Sequence, residues 1–348
     1  MKTFFILFLS LLGGVYVAVA STLPLKVLQI NIWQEGTKIE NGFEAVVNAV
    51  AQADADVVFF NEVYNVKGYR FVPRMIEALK LHDKTYYGLD GPRSVAILAK
   101  YPIIDRQVVF PKDKGNGSIV RVTFEMNGYT FAAYTAHLDY RHYACYLPRG
   151  YNGTTWKKME NPVTDSDSIL EQSRLSDRKM AITAFREAVQ NDIASGRLIL
   201  LAGDFNEPSH LDWQENTKNL WEHRGAVVGW DCSSMLYLAG FKDAYRVLHP
   251  DPVTHPGFTF PSDNERVDIN KLTWAPDADE RERIDFIYYY PDEKNFIPVK
   301  AVLLGPQRSI VHSRRELETS SDIFVEPTAD WPTDHKAVIV VFKVRRKR

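Results

Sequence analysis

The run Leu198-Ile199-Leu200-Leu201-Ala202, followed at once by Gly203-Asp204-Phe205-Asn206, constrains this chain more than any other segment. Five apolar residues in succession leave no polar face, so a strand built from them has to be covered on both sides. It then stops on a glycine and two polar residues. Asp204 and Asn206 are two positions apart, and if the strand geometry continues, both side chains leave on one face. A carboxylate beside a carboxamide at the end of a rigid strand suits the orientation of a water molecule near an anion. Val57 to Phe60 has the same form, a fully apolar strand that ends in Asn61-Glu62.

Strand and helix patterns alternate along the chain, with no internal repeat and no low-complexity linker. Strands are predicted at Lys26–Asn31, Val57–Phe60, Val95–Ala99, Ile119–Glu125 and Tyr129–Ala136, with Asn127-Gly128 as the hairpin turn. Further strands are expected at 198–202, 284–290, near 299–304 and at 337–343. Phe43–Ala53 and Val72–Lys80 read as helices. Leu175, Ile182, Phe185, Val189 and Ile193 recur at helical spacing, which predicts one helix over 173–194, capped by Gly196. Two stretches read as rim insertions, either substrate-binding or plain surface loop. One is 139–168, rich in Tyr, Arg, Lys, Trp and Gly; the other is 207–282, with Trp213, Trp221, Trp230, several His and many Pro.

Residues 1–20 have the form of a secretory signal peptide: Lys2, an apolar stretch from Phe4 to Leu12, and a small-x-small site at Ala18-Val19-Ala20. A retained signal anchor is the alternative. No other segment is long and apolar enough to cross a bilayer. The expected organisation is this leader followed by a single catalytic domain over 21–348, acting as a monomer, secreted or periplasmic. Asn116-Gly117-Ser118 and Asn152-Gly153-Thr154 are glycosylation sequons, meaningful in a eukaryotic secretory route. Cys145 and Cys232, the only two cysteines, form a disulfide in an oxidising compartment or stand as separate buried thiols. Net charge is −2, so the strongly basic footprint of a nucleic-acid-binding protein is missing.

Six apolar strands or strand edges end in polar groups: Asn31, Glu62, His137, Asp204 with Asn206, Asp285, and Asp334 with His335. One such residue is ordinarily a cap or a loop residue. Six in succession are hard to explain as unrelated caps. In combination, Gly-Asp-x-Asn at 203–206, Arg-Ile-Asp-Phe-Ile at 283–287 and Thr-Asp-His at 333–335 resemble the endonuclease/exonuclease/phosphatase superfamily. That superfamily includes pancreatic-type deoxyribonucleases, apurinic endonucleases, neutral sphingomyelinases and inositol polyphosphate phosphatases. The resemblance spans about residues 24–344.

It implies an α/β four-layer sandwich, two mixed sheets packed face to face with helices outside, and a site where strand ends converge. It also implies roles. Glu62, with Asn31 adjacent and Asp334 contributing, holds a divalent metal; oxygen ligands suit Mg²⁺, with Mn²⁺ or Ca²⁺ as alternatives. Asp204 orients or deprotonates the attacking water, and Asn206 holds the phosphate or that water. His137 and His335 bind phosphoryl oxygens. Asp285 fixes the tautomer of His335. His210, His249, His255 and His312 are left outside the site. Many members support the first histidine with a carboxylate after the third strand. Here that region reads Asp90-Gly91-Pro92-Arg93-Ser94-Val95, with no carboxylate in the strand interior. Asp139 is expected to act instead, or Arg93 to bind phosphate.

Three functions remain open on the sequence. The first is an exported phosphoesterase acting on a small or lipid-derived phosphoester, with Tyr140, Tyr143, Tyr146, Tyr151 and Trp156 lining an apolar rim. The second is a secreted nuclease using a modest basic stripe of Arg141, Arg149, Lys157 and Lys158. The third is an inactive binding protein of the same fold.

Overall fold

The apolar strands are indeed covered on both faces, because the chain builds two sheets and stacks them. The computed structural model describes residues 22–347 apart from Lys112, so the leader read at 1–20 lies outside the described residues. In chain order the strands are β1 (Thr22–Asn31), β2 (Val57–Asn61), β3 (Tyr87–Asp90), β4 (Val95–Ala99), β5 (Asp105–Phe110), β6 (Gly117–Met126), β7 (Tyr129–Leu138), β8 (Leu198–Asp204), β9 (Lys242–Asp243), β10 (Asp285–Tyr289), β11 (Phe296–Leu304), β12 (Arg308–Val311), β13 (Arg314–Leu317), β14 (Phe324–Val325) and β15 (Ala337–Arg345). The helices are α1 (Gly42–Ala53), α2 (Phe71–Lys80), α3 (Ser166–Ser173), α4 (Arg178–Ala188), α5 (Gln190–Ala194), α6 (Asp231–Leu238) and α7 (Ala244–Leu248).

One sheet has seven strands in the order β14-β11-β15-β1-β2-β4-β3, and the other has six in the order β5-β6-β7-β8-β10-β9. Both are mixed: β1–β2 and β7–β8 run parallel, and most other pairs are antiparallel. The inner faces share one core, in which Val27, Phe59 and Ile97 of the first sheet meet Phe124, Phe131, Leu200 and Ile287 of the second. The outer face of the first sheet is covered by α1 and α2. On α1, Val46, Ala49, Val50 and Ala53 recur every three or four residues and face Leu28, Val58 and Phe60. The outer face of the second is covered by α4 and α6, through Ala181, Ile182, Phe185 and Leu236 against Ile199, Leu201 and Phe286. Fully burying each valine, leucine, isoleucine or phenylalanine among them contributes about 1.5–3 kcal/mol. The expected four-layer sandwich is what the chain forms.

Three expectations change. The single helix expected over 173–194 begins on the last residue of α3, breaks, and resumes as α4 and α5, and Leu175 is 60% exposed at that break. There the buried Arg178 gives its guanidinium to the carbonyls of Asp139, Arg141 and His142, and the Asp177 N–H donates to the Asp139 carboxylate. These tertiary bonds override the local periodicity. The disulfide does not form. Cys145 and Cys232 are free buried thiols in two different apolar clusters, so the alternative reading holds. The two insertions are not plain surface loop. Residues from both, including Tyr146, Leu147, Trp213, Trp230 and Phe260, pack into an apolar cluster of their own above the strand ends.

Candidate active site

Register places the key side chains. His137 on β7 lies opposite Asp204 on β8, and Asp204 lies opposite Asp285 on β10. In the other sheet Asn31 on β1 lies opposite Asn61 on β2, one residue before Glu62. β8 approaches β7 so closely that a Cβ on Gly203 would sit 1.6 Å from the Ala136 carbonyl oxygen, which is why glycine precedes Asp204. The strand then ends. Phe205 turns into the core, and Asn206 adopts φ 49°, so Asn206 reaches the cleft by a turn rather than by continued strand geometry.

Side-chain amides stitch the two sheets together beneath the cleft. The Asn61 amide donates to the Ala136 carbonyl at 2.7 Å, and its oxygen accepts from the Asp204 N–H at 2.8 Å. The Gln29 amide donates to Asn61 at 2.9 Å and to Asp285 Oδ1 at 2.8 Å. The Asn31 amide donates to Asp204 Oδ2 at 2.9 Å and to Glu62 Oε1 at 3.3 Å. Sequence alone assigns no role to Gln29 and none to Asn61 beyond ending its strand. The signal was available for Gln29, which is two residues from Asn31 and therefore on the same face of β1.

Above this layer opens a cleft of about 380 Å³. Its floor is Glu62, His137, Asp204, Asn206, Asp334 and His335, drawn from both sheets and from the turn before β15. Asn31 and Asp285 stand behind that floor. Asp285 Oδ2 accepts from His335 Nδ1 at 2.8 Å, while the nearby Arg283 is spent on Asp212 and Asp243. Burial alone would make His335 a weaker base. The carboxylates of Asp285, Asp204 and Asp334 outweigh it and hold the ring cationic, its pKa raised to about 10. Burial, with Asp285 nearby, raises Asp204 to about 7; burial, with Glu62 nearby, does the same for Asp334. His137 is made less basic by burial. Asn206 donates its amide to the Leu138 carbonyl at 3.1 Å.

Asp139 does not serve His137, and Arg93 does not reach the cleft to bind phosphate. The Asp139 carboxylate is taken by Arg141 at 2.7 Å, and Arg93 turns away to the Gly115 carbonyl. Ser94 Oγ lies 2.7 Å from His137 Nδ1 instead.

Aromatic side chains wall the cleft: Trp33, Tyr64, Tyr140, Tyr143, Tyr146, Trp156, Phe260 and Trp274. Of the five expected rim residues, Tyr151 is the exception; it is buried, with its hydroxyl beside Asp277. Three of the four residues of the expected basic stripe are engaged by carboxylates, and the fourth, Lys157, is exposed. Arg149 is buried on Glu282 at 2.7 Å, Arg141 is held by Asp139 and Asp177, and Lys158 pairs with Asp277. Among the described residues no lysine or arginine lines the cleft. A larger hollow of about 700 Å³ contains none of the strand-end groups, and its charges pair across it, Arg266 with Asp330 and Arg308 with Glu265.

The donor set fits a divalent cation. Neither Glu62 nor Asp334 has a lysine or arginine partner among the described residues, and a buried carboxylate held up near 7 gains by facing a cation. Asp204, Asp285 and His335 also bring one ligand atom each within 4.8 Å of one another. Both Asp285 oxygens are already committed, to Gln29 and to His335, so that trio reads as a hydrogen-bonded orienting group and not as a metal cage.

A fold of two stacked mixed sheets with carboxylates, amides and histidines gathered at one edge defines a class of phosphoester hydrolases. The chain belongs to the Endonuclease/Exonuclease/phosphatase family, whose sequence profile matches residues 28–335. Enzymes of that family are generally dependent on a divalent metal. An uncharacterized protein of Caenorhabditis elegans is 26% identical over 351 residues, 96% of either chain. The human Nocturnin catalytic domain with bound sulfate anion superposes with a TM-score of 0.52 at 15% identity, covering 93% of this chain and 97% of that one. Truncated Caenorhabditis elegans TDP2 gives 0.51 at 17% identity, covering 92% and 97%. At such identities the two structures share the fold.

Proposed function

We propose that this chain is an exported, divalent-metal-dependent phosphoesterase that hydrolyses esters carrying a single phosphate on an apolar or flat substituent. The observation that carries the reading is the composition of the cleft: a floor of three carboxylates and two histidines, walls of aromatic rings, and no lysine or arginine. A nucleic-acid strand or a polyphosphate brings further phosphates, and these need cationic partners that this cleft does not offer. Arg141, Arg149 and Lys158 are each engaged by a carboxylate, and Arg149 is buried as well, which argues the same way.

Glu62 and Asp334 would hold the cation, with Mg²⁺ the best match to an all-oxygen set. Bound there, it would supply Lewis-acid stabilisation of charge on the phosphoryl group. The rest is done by the chain. Asn31 orients Glu62 and Asp204 by donating to both. Asp204, held near neutrality, accepts the proton of the attacking water. The water oxygen bonds to phosphorus, the ester P–O bond breaks, and the departing oxygen takes a proton from solvent. His335, fixed as a cation on Asp285, donates from Nε2 toward the charge that develops. The aromatic walls hold the substituent and exclude water from around the phosphate.

The deciding experiment offers the purified protein and Mg²⁺ a panel of bis-p-nitrophenyl phosphate, sphingomyelin, inositol phosphates and plasmid DNA. EDTA-sensitive turnover of the first or second, without cutting of plasmid, is expected. Cleavage of plasmid at comparable rates would overturn the substrate reading, and no turnover of any substrate would favour a binding protein. Export is tested separately: expressed with residues 1–20 in a secreting host, the protein should reach the medium or periplasm with Ser21 as its first residue.

A further inference from the structure

The two histidines on the floor stand in the same relation to Asp204. Each presents Nε2 at 3.9 Å from Asp204 Oδ2. What lies behind them differs. His335 has a carboxylate at Nδ1, which can only accept a hydrogen bond. His137 has a hydroxyl at Nδ1, which can donate or accept.

Ser94 is buried, and its position is fixed from two sides. Its carbonyl accepts from the Val63 N–H at 3.2 Å, next to Glu62, and the residue after it opens β4. Its contact with His137 crosses from the seven-stranded to the six-stranded sheet. Among the described residues the Ser94 hydroxyl has no hydrogen-bond partner other than His137 Nδ1. A buried O–H with a single neighbour places its proton on that neighbour. Accepting from Nδ1–H instead would leave the O–H itself buried with nothing to donate to.

We propose that Ser94 is a positioning residue whose hydroxyl donates to His137 Nδ1 and so fixes a neutral imidazole with its Nε2–H directed at Asp204 and the cleft. The floor then holds two different donors on either side of one base: a cation at His335 and a neutral ring at His137. The difference has a chemical use. The charged groups facing His137 are Glu62, Asp204, Asp285 and Asp139, with His335 opposing them. A second imidazolium there would form an ion pair with Asp204 and blunt it as a base. A neutral Nε2–H can still bond a phosphoryl oxygen without that cost. This use rests on the phosphoesterase reading above; the tautomer itself does not.

The test therefore has two arms. In the ¹⁵N-labelled full-length protein, long-range imidazole correlations at pH 7.5, assigned with His137→Gln, should show His137 with an unprotonated Nδ1 and a protonated Nε2. Ser94→Ala should release the ring into a mixture of tautomers. A protonated Nδ1 in the wild type overturns the proposal. In the kinetic arm, Ser94→Ala should lower kcat on the order of tenfold to a hundredfold with KM little changed, and Ser94→Thr, which keeps the hydroxyl, should restore most of it. Wild-type kcat in Ser94→Ala overturns the use assigned to the ring. If no phosphoester is turned over by the wild type, the phosphoesterase reading falls, and the ring spectrum alone decides the role of Ser94.

Discussion

The floor of the cleft and its wall are built on opposite plans. The floor is made of short side chains at the ends of strands, and each is placed by a ladder register: His137 against Asp204, Asp204 against Asp285, Asn31 against Asn61. The wall is made of large rings on long connections, and it is held by buried ionic and hydroxyl contacts between segments far apart in sequence. Tyr146 donates to Glu280 at 2.5 Å, Glu280 also accepts from the Trp274 N–H, and Arg149 binds Glu282 while Trp213 donates to the same carboxylate. Strand ends give precision for chemistry, and loops give a surface that can vary with the substituent.

That contrast predicts that floor substitutions remove turnover and wall substitutions redirect it. The largest effect is expected from the floor. Asp204→Asn and His335→Ala should each lower kcat by about a thousandfold or more while the far-ultraviolet circular dichroism stays native. A loss below about tenfold in both would erase the distinction. In the wall, Glu282→Ala leaves the Arg149 charge buried without its partner. Unfolding in urea should then show about 3–5 kcal/mol less stability, with the residual folded fraction still active. Trp156→Ala should raise KM for substrates with bulky apolar substituents by roughly tenfold, since an aromatic contact of this kind is worth about 1 kcal/mol or more, and should leave methyl-substituted esters nearly unaffected. Equal effects on both substrate sets would show that the wall takes no part in selection.

The smallest effect concerns pH. The floor carboxylate Asp204 has a raised folded-state pKa, about 7. Its contribution to stability is full below the unfolded value near 3.8 and is lost as pH rises through about 7. In the wall, burial pushes Asp279 up, but Arg281 outweighs it and holds that carboxyl low, so its contribution is present above 3.8 and is lost as pH falls. In EDTA, Asp204→Asn should therefore gain melting temperature relative to wild type more at pH 8 than at pH 5.5. An equal difference at the two values would show that Asp204 titrates normally.

The same contrast explains what could be read from the chain beforehand. Apolar runs that stop at Asn31, Glu62, His137, Asp204 and Asp285 carry their geometry with them, because strand periodicity fixes which side chains leave together. The sandwich and its floor follow from that. The wall has no period. Tyr140, Tyr143, Tyr146 and Trp156 attract notice as a cluster, but nothing local distinguishes them from Tyr151, which buries its ring and spends its hydroxyl beside Asp277. Trp274 is held by the Glu280 carboxylate, which accepts from its N–H, and Phe260 by a backbone bridge to Glu282. Arg141 and Arg149 look like a basic patch until Asp139, two residues away, and Glu282, far along the chain, claim them. Ser94 escaped notice because a carboxylate was expected at that place and the substitute is a common residue with no pattern around it.

The Gln29 and Asn61 amides tie catalysis to the cohesion of the sandwich itself. Asp285 accepts from Gln29, and Asp204 gives its N–H to Asn61, in both cases across to the opposite sheet, so neither half of the molecule carries a competent centre alone. Any opening that parts the layers, even one that leaves every helix and ladder intact, dissolves the site first. Loss of turnover in mild denaturant should therefore run ahead of loss of secondary structure, which makes the enzyme's own rate a gauge of how firmly its two halves are pressed together.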